Sequence, residues 1–312
     1  MIYRKYSTSL TEKYGEKVYK IPVNLPVTCP NRDGSIGTGG CIFCGDVGAG
    51  FEAQDSLLSV VDQLHKNIEI IAPKYNAKKF IAYFQNYTNT YMALEIFKKV
   101  VLEACINDVV GISISTRPDC VFDDYLEFLS MIKETKNVDI EIELGLQSIN
   151  VNTLEKINRG HGLAEYIDAV LRIKKFGFSI CTHFIGNLPW DTELDFYEGA
   201  KLINALGIES VKVHSLYILK DTVLGEWFEN DQFEMITSQE YLKRVIHFLR
   251  LLNPEVIVQR LFGRAPEEST LFCNWDMSWR KLQNQLEEEM NSKGYKQGDL
   301  YDKQNLVMGG AL

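Results

Sequence analysis

Residues 109–145 read VVGISISTRPDCVFDDYLEFLSMIKETKNVDIEIELG, and this stretch decides the architecture. Its two ends, 109–115 and 138–145, are short β-branched runs that read as strands. The segment between them, 123–135, has the spacing of an amphipathic helix. Strand, helix and strand in so short a span make a parallel pair joined by a right-handed crossover. The same rhythm runs outward. Further strands are read at 18–23, 79–85, 178–186 and 209–218, and further helices at 91–104, 164–176 and 192–206. An earlier helix carries Leu57, Val61, Leu64, Ile68 and Ile71 as one apolar stripe. Gly177 and Gly207 stand where helices end and positive φ is needed.

Six strands alternating with helices imply an α/β fold with a parallel sheet. The pattern leaves open a doubly wound sheet, a full barrel or a partial one. In each, reactive residues belong at the C-terminal ends of the strands. Neither G-x-G-x-x-G nor G-x-x-x-x-G-K-[ST] occurs. Past about residue 225 the rhythm changes to a helix (237–252), a short strand (255–260), a loop (263–266) and a charged helix (279–292). The expected organisation is a basic N-terminal segment over 1–17, a body over 18–225, and a C-terminal extension over 226–312 packed on it.

The 312 residues are 46% apolar and 24% charged, which excludes a disordered or collagenous chain. No apolar run approaches the roughly 20 residues of a membrane span. No signal peptide follows Arg4 and Lys5, so a cytoplasmic protein is expected. The net charge of −9 argues against a general nucleic-acid binder. Arg4, Lys5, Lys13, Lys17 and Lys20 nevertheless concentrate positive charge, read either as a solvated face or as an RNA contact.

Seven cysteines are an odd number, and three of them cluster: Cys29, Cys41 and Cys44, spaced C-x11-C-x2-C after the first strand. Thiolates so grouped suit zinc, an iron–sulfur cluster or a redox pair. Structural zinc takes four ligands, and no fourth stands at motif spacing. A [4Fe–4S] cluster on three cysteines leaves one iron open, which is a catalytic arrangement.

The loop opens with CPNRDG and ends GGCIFC, and with it the chain resembles radical S-adenosylmethionine (SAM) enzymes of the Elongator-, HemN- and MiaB-like class. Within that class it is similar to the YhcC/YtqA family, whose YtqA branch is also called MnmL. Matching segments cover nearly the whole chain: YFQNYTNTY (83–91), ISISTRPD (112–119), ELGLQS (143–148), INRGH (157–161), THFIGNLP (182–189), VKVHSLYILKDT (211–222) and VIVQR (256–260). Most fall at or just after a strand end. The resemblance implies a partial (β/α)6 barrel with a C-terminal α/β extension.

It also implies the site. Cys29, Cys41 and Cys44 would hold the [4Fe–4S] cluster, and Phe43 would lie against the SAM adenine. Gln85, Asn86 and Tyr87 would meet the methionine amino group, with Ser115, Thr116 and Arg117 near the ribose. Gln147 would bond ribose or carboxylate, and Arg159 the carboxylate. Gly186, Asn187 and Pro189 stand in the element that approaches adenine, with Asn187 in the place of a glycine. On the substrate side stand His183, His214, Tyr217 and Lys220, although histidines at such positions are commonly plain core residues. Cys105, Cys120, Cys181 and Cys273 lack spacing for a second cluster, which speaks against methylthiolation.

The substrate implied is tRNA, at a wobble 5-carboxymethylaminomethyluridine converted to 5-aminomethyluridine. Lys220 or Arg260 would meet the carboxylate of its side arm. Trp275, Trp279, Arg280 and Lys281 offer a second RNA contact or simply C-terminal packing. An electron donor such as flavodoxin or ferredoxin is expected, and no membrane. Two rivals stay open: radical SAM oxidation or decarboxylation of a small metabolite, and a non-catalytic zinc-stabilised RNA-binding protein.

Overall fold

The computed structural model describes residues 2–45 and 53–303. Seven strands form one sheet: β1 (Val18–Val23), β2 (Lys79–Phe84), β3 (Val109–Thr116), β4 (Asp139–Gln147), β5 (Ser179–Ile185), β6 (Ser210–His214) and β8 (Ile257–Arg260). They pair in that order, every pair parallel. A separate antiparallel pair joins β7 (Tyr217–Leu219) to β9 (Thr270–Cys273).

The sheet is strongly curled. Seven flat strands at the usual spacing would hold their edges roughly 29 Å apart. Here Lys20 on edge strand β1 donates to Gln259 on edge strand β8 at 3.1 Å, and also reaches Glu143 on β4 at 2.5 Å. Only a sheet rolled into an open barrel lets one lysine do both. The N-terminal helix α1 (Tyr6–Tyr14) packs against both edges. Lys5 extends the pairing beside Val258.

Helices α2 (Val60–Tyr75), α3 (Leu94–Glu103), α4 (Asp123–Lys136), α5 (Val151–Lys156), α6 (Leu163–Lys175) and α7 (Glu193–Ala205) follow in chain order. After them come α8 (Val223–Glu229), α9 (Ser238–Leu251) and α10 (Trp279–Ser292). The main core is the outer face of the sheet under its helices: Ile112, Ile114, Ile140, Ile142, Leu144, Ile180, Phe184, Val211 and Val213 all lie within it, packed with Leu129, Val170, Ile203 and Phe248. Two helix starts show how locally the boundaries are written. Thr192 with Asp195, and Thr237 with Glu240, form reciprocal capping boxes.

Three details depart from the sequence pattern. The segment 209–218 is two strands, because β6 ends at His214. There the Asn187 side chain takes the Leu216 N–H at 2.7 Å, and Ser215 bonds Gly263 and Asn274. The strand at 255–260 does not stay within the extension but supplies the seventh strand of the main sheet, one more than the six expected. Leu57 is 87% exposed and precedes α2, which starts where the Ser59 side chain accepts the Asp62 N–H. Val60 and Leu64 are the apolar residues that helix buries most deeply, with Ile68 and Ile71 packed partly against the core.

Candidate active site

The cysteine loop leaves β1 and is pinned to the segment after α5. The Asn158 side chain donates to the Gly40 carbonyl at 2.8 Å, and the Ile42 N–H to Ile157 at 3.1 Å. Asn31, buried inside the loop, returns a bond to the Asn158 carbonyl. Cys29 and Cys41 are buried and Cys44 half-buried. Burial pushes the Cys44 thiol up to about 11, and the neighbouring Cys41 and Cys29 push the same way. Arg159 Nη1 lies 3.5 Å from Cys41 Sγ, and Arg117 Nη1 lies 3.9 Å from Cys29 Sγ. Arg159 Nε is buried with no partner among the described residues. Three soft donors with guanidinium charge behind them fit a [4Fe–4S] cluster, whose thiolate ligands carry charge that must be compensated.

The close approach of Arg159 has a backbone requirement. A Cβ on Gly145 would stand 2.7 Å from Arg159 Nη2, so only glycine lets that nitrogen reach the Gly145 carbonyl. Two residues further, Gln147 has φ of 76°, and Tyr87 has φ of 47°; both line the cavity. Left-handed backbone at non-glycine residues is costly and recurs at ligand sites.

The cysteines open onto a cavity of about 880 Å³ running down the barrel lumen. Its floor is ionic. Glu143, wholly buried, accepts from Lys20 (2.5 Å), Lys212 (2.6 Å), His183 (2.6 Å) and Ser113 (3.0 Å). Burial alone would push this carboxyl up, but Lys20 and Lys212 outweigh it and hold it well below the usual range. Burial works against the charge on Lys20 too, and Glu141 and Glu143 overcome it. Both lysines therefore stay charged. Burial, then Lys212, holds the His183 imidazole down; burial, then His183 and Arg260, holds His214 lower still. Both imidazoles are neutral at pH 7, with ring centres 5.3 Å apart. Cys181 has its sulfur within 4.8 Å of ligand atoms of Glu143 and His183. That trio is no cation seat, because two ammonium groups already occupy Glu143 and burial pushes the Cys181 thiol up.

Most of the residues singled out from the sequence meet here. Cys29, Cys41, Cys44, Phe43, Gln85, Tyr87, Ser115, Thr116, Arg117, Gln147, Arg159, His183, His214 and Tyr217 all line the cavity. Asn86, Gly186, Asn187, Pro189 and Lys220 do not. Asn86 bonds Asn24. Gly186 makes room for Tyr241 of α9, whose ring would stand 2.9 Å from a Cβ there. Asn187 ties the end of β6, and Lys220 is exposed. Several lining residues are already engaged: Thr116 bonds Thr90, and Arg117 clasps Asp119 through Nε and Nη2. Among the lining residues, the side chains of Gln147, His214, Tyr217 and Arg260 make no hydrogen bond or ion pair with any described residue, so they are among the groups left to meet a ligand. Lys20, Tyr83, Glu143, Lys212 and Gln259 join the lining although no role was assigned to them, and all but Lys20 lie within the segments that carry the resemblance. Their other signal in the sequence is a charged or polar residue at every second place of an apolar strand, as in IEIEL and VKVH.

The basic N-terminal segment is mostly neutralised internally. Arg4 pairs with Glu255, Lys5 with Glu287, Lys13 with Asp139 and Lys20 with Glu141. Trp275 packs into the C-terminal layer and donates to Ile236. Among the described residues no helix is long and apolar enough to cross a membrane.

With this geometry in place, the comparisons agree on its kind. Residues 28–203 match the radical SAM superfamily, and residues 208–292 match the radical SAM C-terminal domain. YtqA of Bacillus subtilis (strain 168) is 32% identical over 302 residues, covering 96% of this chain and 93% of that protein. YhcC of Escherichia coli (strain K12) is 32% identical over 271 residues, covering 86% of each. In fold, the chain is similar to the archaeal Methanocaldococcus infernus Elp3, with a TM-score of 0.66 at 18% identity, covering 93% of this chain and 68% of that one. The chain belongs to the radical SAM superfamily and, within it, to the family of YtqA and YhcC. It is an enzyme of that class, and the class implies SAM and a [4Fe–4S] cluster.

Proposed function

We propose that this enzyme binds its cluster through Cys29, Cys41 and Cys44, cleaves SAM reductively, and abstracts hydrogen from the carbon beside the amine in the side arm of a tRNA wobble 5-carboxymethylaminomethyluridine. With SAM as the two-electron oxidant that carbon becomes an imine, which water splits into 5-aminomethyluridine and glyoxylate. When bound, the cluster supplies the electron that breaks the sulfur–C5′ bond of SAM. The chain's own work is to hold SAM and substrate still and keep water out. Gln147, on its strained backbone, offers an amide that both donates and accepts to SAM. Phe43 offers its ring to adenine. His214 and Tyr217 face the substrate as neutral groups; burial, then Cys44, pushes the Tyr217 phenol up to about 12.

One observation carries the tRNA reading. On a chain of net charge −9, cations are interleaved with aromatic rings next to residues that line the cavity. Lys17 and Lys74 stand over Tyr75, which stacks on Tyr19 at 4.6 Å; Arg264 and Arg280 stand over Trp279 at 4.9 and 5.0 Å. Lys17, Tyr19 and Arg264 line the cavity itself. Phosphates and unstacked bases are what such an arrangement suits. Inside, Arg260 offers a guanidinium for the carboxylate of the arm, a role for which Lys220 is badly placed. A low-potential donor of the flavodoxin or ferredoxin kind would feed the cluster.

The test is anaerobic reconstitution with iron and sulfide, then SAM, dithionite and tRNA bearing the carboxymethylaminomethyl arm. Expected are 5′-deoxyadenosine, 5-aminomethyluridine by nucleoside mass spectrometry, and tRNA affinity that falls with salt. No tRNA binding at low salt, with 5′-deoxyadenosine still formed, would move the substrate to a small metabolite. Colourless protein holding one zinc would overturn the radical reading altogether.

A further inference from the structure

Arg117 and Arg159 were expected to meet SAM, yet most of their donors are already committed. Arg117 is 2% exposed and gives Nε and Nη2 to Asp119, while Nη1 donates to the Arg159 carbonyl at 2.8 Å and faces Cys29 Sγ at 3.9 Å. Arg159 gives Nη2 to the Gly145 carbonyl and Nη1 to Cys41 Sγ at 3.5 Å. The two arginines thus form a chain: Asp119 orients Arg117, Arg117 holds the Arg159 backbone, and Arg159 reaches the sulfur. Both lie on rigid supports, one at the end of β3 and the other in the turn pinned to the cysteine loop. A buried guanidinium beside a thiolate stabilises whichever state of a metal centre carries more negative charge, and a bond to the sulfur withdraws electron density from it.

We propose that Arg159, with Arg117 as the weaker second, acts as a positioning residue for the cluster: it bonds the Cys41 sulfur and raises the reduction potential, easing entry of the electron. The carboxylate of SAM then falls to another group, the Gln147 amide, which also lines the cavity. This rests on the three cysteines holding a [4Fe–4S] cluster.

The experiment is a redox titration followed by electron paramagnetic resonance on the reconstituted full-length protein without SAM, comparing the parent with Arg159→Gln, Arg159→Lys, Arg117→Lys and Arg260→Gln. At the parent's midpoint, Arg159→Gln is expected to lower the ratio of reduced to oxidised cluster about tenfold, equivalent to about 59 mV for a one-electron couple. Arg159→Lys keeps the charge and loses the fork, so its shift should be smaller. Arg117→Lys, at the longer distance, should lower the ratio about threefold or less. Arg260→Gln removes a cation of the same cavity that touches no cysteine sulfur among the described residues, and should move the midpoint least. Equal midpoints in the parent and Arg159→Gln overturn the inference, and a loss of SAM affinity there would return the residue to the SAM carboxylate. If Arg159→Gln takes up no cluster, Arg159→Lys decides by the same criterion. A parent that takes up no cluster overturns the cofactor reading, and this inference with it.

Discussion

The two faces of the same sheet are built on opposite principles. On β4, Ile140, Ile142 and Leu144 face outward into a packed apolar layer, while Glu141 and Glu143 alternate with them and face the lumen. On β6, Val211 and Val213 face out, and Ser210, Lys212 and His214 face in. The outer face gains from removing apolar surface from water and is indifferent to which apolar neighbour it meets. The lumen is unforgiving. Glu143 and Lys212 are buried and Lys20 and Glu141 nearly so, and each of these charges has a named partner at hydrogen-bond distance. Stability is therefore concentrated on one side of the sheet and chemistry on the other, one residue apart along the chain.

The contrast can be broken by substitution. The largest effect is expected at the top of the lumen, where Cys41→Ala should abolish cluster uptake and 5′-deoxyadenosine formation while the protein stays folded; the visible absorption of the reconstituted protein and product chromatography check this. Next comes Glu143→Leu, a change that would suit the outer face. In the lumen it leaves Lys20 and Lys212 short of their shared carboxylate and should cost about 3–5 kcal/mol in urea unfolding. The double variant with Lys212→Met should recover part of that loss. A neutral Glu143→Leu would mean that the two faces obey one rule after all.

Ile142→Ala, one place along, should cost about 2–4 kcal/mol through its cavity. The difference lies in function, since 5′-deoxyadenosine formed per folded molecule should match the parent. The smallest effect sharpens the contrast from outside the lumen. Asp191 follows β5, and burial, with Asp195 adding, raises its carboxyl to about 6. The folded state then holds a proton that the unfolded chain releases near pH 4. Stability contributed by this group falls as pH rises from about 4 to 6 and is flat above. Asp191→Asn should remove that slope and raise stability at pH 7 by about 1–2 kcal/mol, read from urea midpoints across the range. A slope that survives the substitution would assign it to another group.

Much of the molecule was legible in one dimension. Strand and helix positions are written by local pattern, and most boundaries fell within a residue or two, because caps such as Ser59 and Thr237 lie beside the residues they serve. The cysteine loop was legible because its three cysteines share one short segment. Lys20, Glu143 and Lys212 were not, since they lie on β1, β4 and β6 with no common motif. Nor was the seventh strand, because nothing in residues 255–260 says which sheet edge they will join.

By itself, then, the sequence determined the α/β rhythm, the grouping of three cysteines on one loop and the family, each of which is read from short stretches of chain. The curl of the sheet decided the rest: which charges share the lumen, which end of the 209–218 run turns away, and that Arg159 meets a sulfur. These are meetings between residues dozens to hundreds of positions apart. Period-two alternation says which face of its own strand a side chain takes, but strand order and curvature alone say what waits across the barrel.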